Sequence, residues 1–260
     1  MRTQGEIMNT RATAVAFLDS QRPTGPVYRS IVAIDLEGST MRTSPVKGEL
    51  RRTMYDLLWR SLEAVAITSD HLEQLTDRGD GVLVLIRPHD DVPKTILLDR
   101  LIPQLTALLI EYNTKVIHPA LQMRLRAVVH AGEVHGDSRG FYGEAIDVAI
   151  RLLDSTPVKR ALKQAASPLV LVVSEGIYSE IVSHGYVDGD TYRPLVRVRV
   201  ANKQHRGWVY VPDPGDPSRT AGIGTGSWPM RVRRLPRPGI ADEPSEHAVP
   251  AVTGLSAGIG

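Results

Sequence analysis

The chain has 260 residues, 42% of them hydrophobic, a formal net charge of +2 and no cysteine. This is enough for one buried core with extensions; disulfides and thiolate metal sites are excluded, any metal must be held by Asp, Glu or His, and the composition fits a reducing, cytoplasmic setting. The charge is too small to argue for a nucleic-acid partner, which needs clustered positive charge, and no stretch approaches the roughly 18 apolar residues of a membrane span.

Residues 1–26 are polar, end in RPTGP and read as a weakly ordered leader with room for one short helix around Thr13 to Phe17. VYRSIVAID then runs as an apolar strand that stops at Asp35 and is followed by Gly38-Ser39-Thr40. A carboxylate at the rim of a sheet is costly to desolvate without a positive partner, so either a cation belongs beside Asp35 or the aspartate caps a following helix. Val46 to Ile67 carries Leu50, Met54, Leu57, Leu58, Leu62 and Val65 at three-to-four spacing, an amphipathic helix. HLEQLTDRGDGVLVLIR has two strand-like runs about Arg78-Gly79-Asp80-Gly81, where Asp-Gly signals a hairpin.

A second long helix is expected from about Pro93 to Val116, kinked or split at Pro103. LQMRLRAVVHAGEV reads as a central strand, Gly143 to Leu153 as an amphipathic helix closed by Pro157, LVLVV (169–173) as a buried strand, and SEGIYSEIVSHG as a capped helix ended by Gly185. LVRVRV and GWVYV close the domain as a hairpin, and residues 213–260, rich in Gly, Pro, Ala and Ser, read as a disordered tail. The folded domain is thus 27–212. A hairpin interrupting the βαβ alternation predicts an α/β (α+β) fold, a two-layer ferredoxin-like sandwich with a largely antiparallel sheet.

In that layout the end of the first strand and the hairpin tip bring Asp35 and Asp80 together. Two carboxylates that close repel unless a divalent cation lies between them, and magnesium, which also accepts phosphate oxygens, suits the pair. Gly38, Ser39 and Thr40 offer backbone N–H groups to a phosphate. The plain alternative for Asp80 is a turn residue. Asp147 and Arg151 lie one helical turn apart, where the plain reading is an i,i+4 ion pair.

Together IDLEGST, RGDGVL, and HAGEV followed by YGEAIDVAIRL resemble the metal motifs and strand-loop-helix signature of class III nucleotidyl cyclases, the adenylyl and guanylyl cyclase family, over about residues 27–200. The resemblance implies that Asp35, Asp80 and the Leu36 carbonyl hold two divalent metals, Mg²⁺ or Mn²⁺. It implies further that residues 36–40 bind a nucleoside triphosphate, and that Arg151 reaches the α-phosphate across a homodimer interface. The implied reaction is attack of the ribose 3′-hydroxyl on the α-phosphorus, giving a 3′,5′-cyclic nucleotide and pyrophosphate for a downstream signalling protein.

Three positions depart from the family. Thr76 replaces the usual base-reading lysine, Gly140 its usual companion, and Asp147 the asparagine that orients the ribose, which leaves open a catalytically silent cyclase-homology domain that binds nucleotide or only dimerises. His130 reads as a core histidine, and His135, His184 and His205 show no ligand spacing.

Overall fold

The computed structural model describes residues 25–213; the expected leader up to residue 24 and the tail from residue 214 lie outside the described residues. Strand β1 (Val27–Leu36) leads through a 3₁₀ turn at Ser39–Met41 into helix α1 (Ser44–Ala64). Strands β2 (Leu72–Asp77) and β3 (Gly81–Ile86) form the hairpin, and helix α2 (Ile102–Lys115) follows. Next come β4 (Leu125–Asp137), β5 (Gly140–Tyr142), α3 (Glu144–Leu153), α4 (Thr156–Gln164), β6 (Leu169–Ser174), β7 (Arg193–Val200) and β8 (Lys203–Tyr210).

The sheet order is β2-β3-β1-β4-β6-β8-β7, with β5 paired to β4. Only β4 and β6 run parallel, so the sheet is largely antiparallel as expected. Alternation along β1 sorts its side chains. Val32, Ile34 and Leu36 pack with α1 and α2, whereas Ile31 and Ala33 pack on the opposite face with Ala145, Val148, Ala149 and Leu152 of α3 and Val158 of α4. Helices α3 and α4 thus add a layer to the sandwich that the element order suggests.

Of the kink or split expected at Pro103, the split does not occur, and the proline that closes α3 also opens the next helix. Residues Leu97–Leu101 wind as a π-helix between the Lys94–Ile96 turn and α2. This widens the backbone before Pro103, whose ring would otherwise press on the Asp99 carbonyl, so the helix continues without a split. Pro157 lies in the first turn of α4, where a missing N–H costs nothing, and so opens a helix as well as closing α3.

Candidate functional site

The first strand lies between β3 and β4, so Asp35 has a cross-strand neighbour on each side: Gly81 on β3 and Arg126 on β4. Both placements matter. A Cβ at position 81 would come within 2.6 Å of the Ile34 carbonyl and 3.3 Å of Asp35 Oδ1, so only glycine leaves the carboxylate its space. On the other side the Arg126 guanidinium makes an ion pair with Asp35 Oδ2, their side chains only 10% and 14% exposed. The positive partner that a rim carboxylate requires is therefore supplied by the chain itself. Asp35 does not cap a helix: no side chain caps the Ser39–Met41 turn, and α1 starts only at Ser44. Burial lowers the Arg126 guanidinium from its ordinary value, and the Asp154 carboxylate, 4.0 Å away, opposes that shift.

Asp80 reaches the same place through the hairpin turn. Its carbonyl accepts from the Leu36 N–H at 2.9 Å, and the buried Ser39 hydroxyl donates to Asp80 Oδ2. The left-handed residue of the turn is Gly79 (φ +83°) rather than Gly81, which is the first residue of β3. Arg51 of α1 fixes this turn, donating to both carboxylate oxygens of Asp77 and, at 2.5 Å, to the Gly79 carbonyl. Asp35, Leu36, Ser39 and Asp80 are thereby brought together. Gly38 adopts φ +67° at the head of the 3₁₀ turn, and Thr40 is exposed on it. Backbone bonds run from Met41 N–H to the Gly38 carbonyl and from Arg42 N–H to the Ser39 carbonyl, and none is donated by Gly38, Ser39 or Thr40 among the described residues.

The donor set suits a hard divalent cation. In each carboxylate one oxygen is engaged by a protein donor, Arg126 on Asp35 and Ser39 on Asp80, and the other oxygen of each offers the ligand that Mg²⁺ or Mn²⁺ takes.

Thr76 and Gln74 pair with Leu83 and Leu85, which share the α3 face with Ala33, so both lie on the same side of the sheet as Asp35. Gln74 was not legible as a site residue. Its Oε1 is buried without a hydrogen-bond partner, and its amide lies where a Cβ at Gly140 would meet it at 3.5 Å. Asp147 and Arg151 project from the exposed side of α3, and no ion pair joins them among the described residues. Within one chain neither is brought to Asp35 and Asp80 by any contact of the described residues. Position α3 itself is anchored by Glu144, which pairs with Lys203 at 3.2 Å.

His130, expected as a core histidine, is half-buried instead. It hydrogen-bonds Ser174 Oγ at 2.7 Å, and burial, aided by His205, lowers its pKa to about 4, so the ring is neutral at pH 7.

No family model and no curated protein matches the chain. Solved structures do. An adenylate/guanylate cyclase/hydrolase from Silicibacter pomeroyi superposes with a TM-score of 0.51 at 18% identity, over 72% of this chain and 98% of that one. The guanylyl cyclase Cya2 gives 0.50 at 15% identity, over 74% and 97%. The adenylyl cyclase CyaB from P. aeruginosa gives 0.51 at 11% identity, over 75% and 99%. The chain therefore has the fold of nucleotidyl cyclase domains. No helix among the described residues is long and apolar enough to cross a membrane.

Proposed function

We propose that the chain is a nucleotidyl cyclase that converts a nucleoside triphosphate to a 3′,5′-cyclic nucleotide and pyrophosphate at a homodimer interface. What supports this reading is that Asp35 lies across from Gly81 and next to Leu36, whose N–H bonds the Asp80 carbonyl, while Ser39 of the Gly38-Ser39-Thr40 turn bonds the Asp80 carboxylate, on a sheet whose architecture is that of cyclase domains. Asp35 and Asp80, with the Leu36 carbonyl, would hold two Mg²⁺ or Mn²⁺ ions. Such ions lower the pKa of an attacking hydroxyl and neutralise leaving phosphates.

The chain's own groups do the rest. Arg126 pairs with Asp35 and fixes its carboxylate at the sheet rim. Ser39 orients Asp80, and the N–H groups of Gly38, Ser39 and Thr40 bind phosphate oxygens. Arg151, exposed on α3, is available to a second subunit, where its guanidinium stabilises charge on the α-phosphate. Asp147 sits one turn earlier in the position where it would face the ribose. We expect titration calorimetry of the purified protein to show triphosphate binding only with a divalent metal present; equal binding in EDTA would contradict the site.

Gln74 supplies the base contact that Thr76 and Gly140 leave short. An amide whose oxygen has no partner, beside a glycine, can read a base edge, and a site that hydrogen-bonds its substrate rejects a mismatched one. Gln74→Leu should shift the ratio of kcat/KM between the best and next-best triphosphate by about 10-fold, the worth of one polar contact. Identical ratios for all four nucleotides would place base reading elsewhere.

The alternative is a catalytically silent cyclase-homology module. It is favoured by Asp147, an exposed carboxylate where a polyanion would come close.

A further inference from the structure

The hairpin that carries Asp80 has a second end, six strand residues of about 3.3 Å rise away, or roughly 20 Å. There the 3₁₀ turn Ser69–His71 enters β2 and the chain leaves β3, joined by a hydrogen bond from the Arg87 N–H to the His71 carbonyl at 2.8 Å. A ring nitrogen of His71, a ring nitrogen of His89 and a carboxylate oxygen of Asp91 all lie within 4.8 Å of one another. The two rings meet edge-on, centroids 4.9 Å apart at 71°, and His89 Nδ1 is 3.5 Å from Asp91 Oδ2.

We propose that His71, His89 and Asp91 form a binding site for a divalent transition metal of the zinc class, separate from the Asp35–Asp80 pair. The chemistry distinguishes the two. Imidazole nitrogens select Zn²⁺ and its borderline neighbours over Mg²⁺, and two histidines with one carboxylate leave a fourth position for water or a further ligand. Spacing agrees. Bonds of about 2.0–2.1 Å at a tetrahedral centre put ligand atoms about 3.4 Å apart. The His89–Asp91 pair is already at that separation, and the third ligand has at most about 1.4 Å to close. His89 and Asp91 are exposed and free to make that adjustment.

The surroundings supply an outer partner. His71 Nδ1 is 3.1 Å from the Thr68 N–H and 3.2 Å from Thr68 Oγ1, so Nδ1 is held inside the turn and Nε2 is the outward nitrogen. On metal binding Nδ1 carries the proton and donates to the Thr68 hydroxyl, which then orients the ring as an outer partner, while the exposed Thr68 N–H turns to water. At His89, the cation replaces the Asp91 N–H that now donates to Nδ1 at 3.2 Å. A bound metal would pin the segment before β2 to the segment after β3, fixing the base of the hairpin whose tip bears Asp80.

The test is zinc titration of the full chain by calorimetry in excess Mg²⁺, with Co²⁺ absorption as a second readout of tetrahedral nitrogen ligation. We expect one equivalent of zinc, a loss of affinity of at least about 100-fold in His71→Ala and in His89→Ala, and a smaller loss in Asp91→Asn, since both imidazole ligands remain and the amide oxygen still offers a weak one. Asp80→Ala should bind zinc like the parent, which separates this site from the proposed cyclase centre. Absence of a zinc equivalent in the parent, or retention of it in folded His89→Ala, overturns the proposal.

Discussion

Asp80→Ala and Asp35→Ala should both lower turnover by about 10²–10³-fold, the few kcal/mol of charge stabilisation that a bound divalent metal supplies, yet differ sharply in stability. Asp80 is exposed, and its contact with the sheet through the Leu36 N–H is made by its backbone carbonyl, which alanine keeps. Its loss leaves one buried hydroxyl, that of Ser39, without an acceptor and should cost about 1 kcal/mol. Asp35 is different because its removal strands the Arg126 guanidinium in a site only 10% exposed. Breaking such a pair costs about 3 kcal/mol, at the low end for a buried ion pair because Asp154 remains 4.0 Å away. The double variant Asp35→Ala/Arg126→Met should recover most of that loss, since an apolar side chain replaces the orphaned charge. Urea denaturation of the four proteins measures this; equal stability of parent and Asp35→Ala would show that the Arg126 pair does not hold the site.

The second large effect concerns Arg151. If it serves the site of a second subunit, Arg151→Ala should lower turnover about 100-fold while leaving the fold untouched, because the side chain is exposed on α3. Mixing it with Asp80→Ala should restore activity, because each heterodimer has one site built from an intact Asp80 and an intact Arg151. Random exchange makes half the dimers heterodimers with one of two sites whole, so about a quarter of parental activity should return. Heterodimers that form without regaining activity would mean that Arg151 does not act across the interface.

The elements that carry these groups were legible because their periods were clean. The apolar run ending at Asp35, the three-to-four spacing from Leu50 to Leu62 and the Gly79-Asp80-Gly81 turn specify a strand, a helix and a hairpin whose order permits few sheets. That Asp35 ends its strand beside the turn bearing Asp80 followed from that order. Arg126 was not legible as a partner, although an arginine inside an apolar strand is itself a signal that a carboxylate lies opposite. The clamp from Arg51 to Asp77 and Gly79 joins residues 26 and 28 apart in sequence, with most of α1, a loop and β2 between them, and only tertiary packing shows it. Gln74 escaped notice for another reason: its significance is an unsatisfied oxygen, and satisfaction is a property of the folded neighbourhood. The π-helical turn before Pro103 was hidden because a proline in a helix can be met by a break, a kink or a widened turn, and the sequence does not choose among them.

In the proposed reading Asp35 and Asp80 support metal-dependent cyclisation. The most direct measurement is mass spectrometry of products after incubating the purified full chain with ATP, GTP, CTP and UTP, each with Mg²⁺, with Mn²⁺ and with EDTA. We expect a 3′,5′-cyclic nucleotide and an equal amount of pyrophosphate from at least one triphosphate, only with metal, and about 10²–10³-fold less of both from Asp80→Ala. A parent protein that binds a triphosphate with metal but yields no cyclic product from any of the four would contradict the proposed reading and leave the silent cyclase-homology module standing.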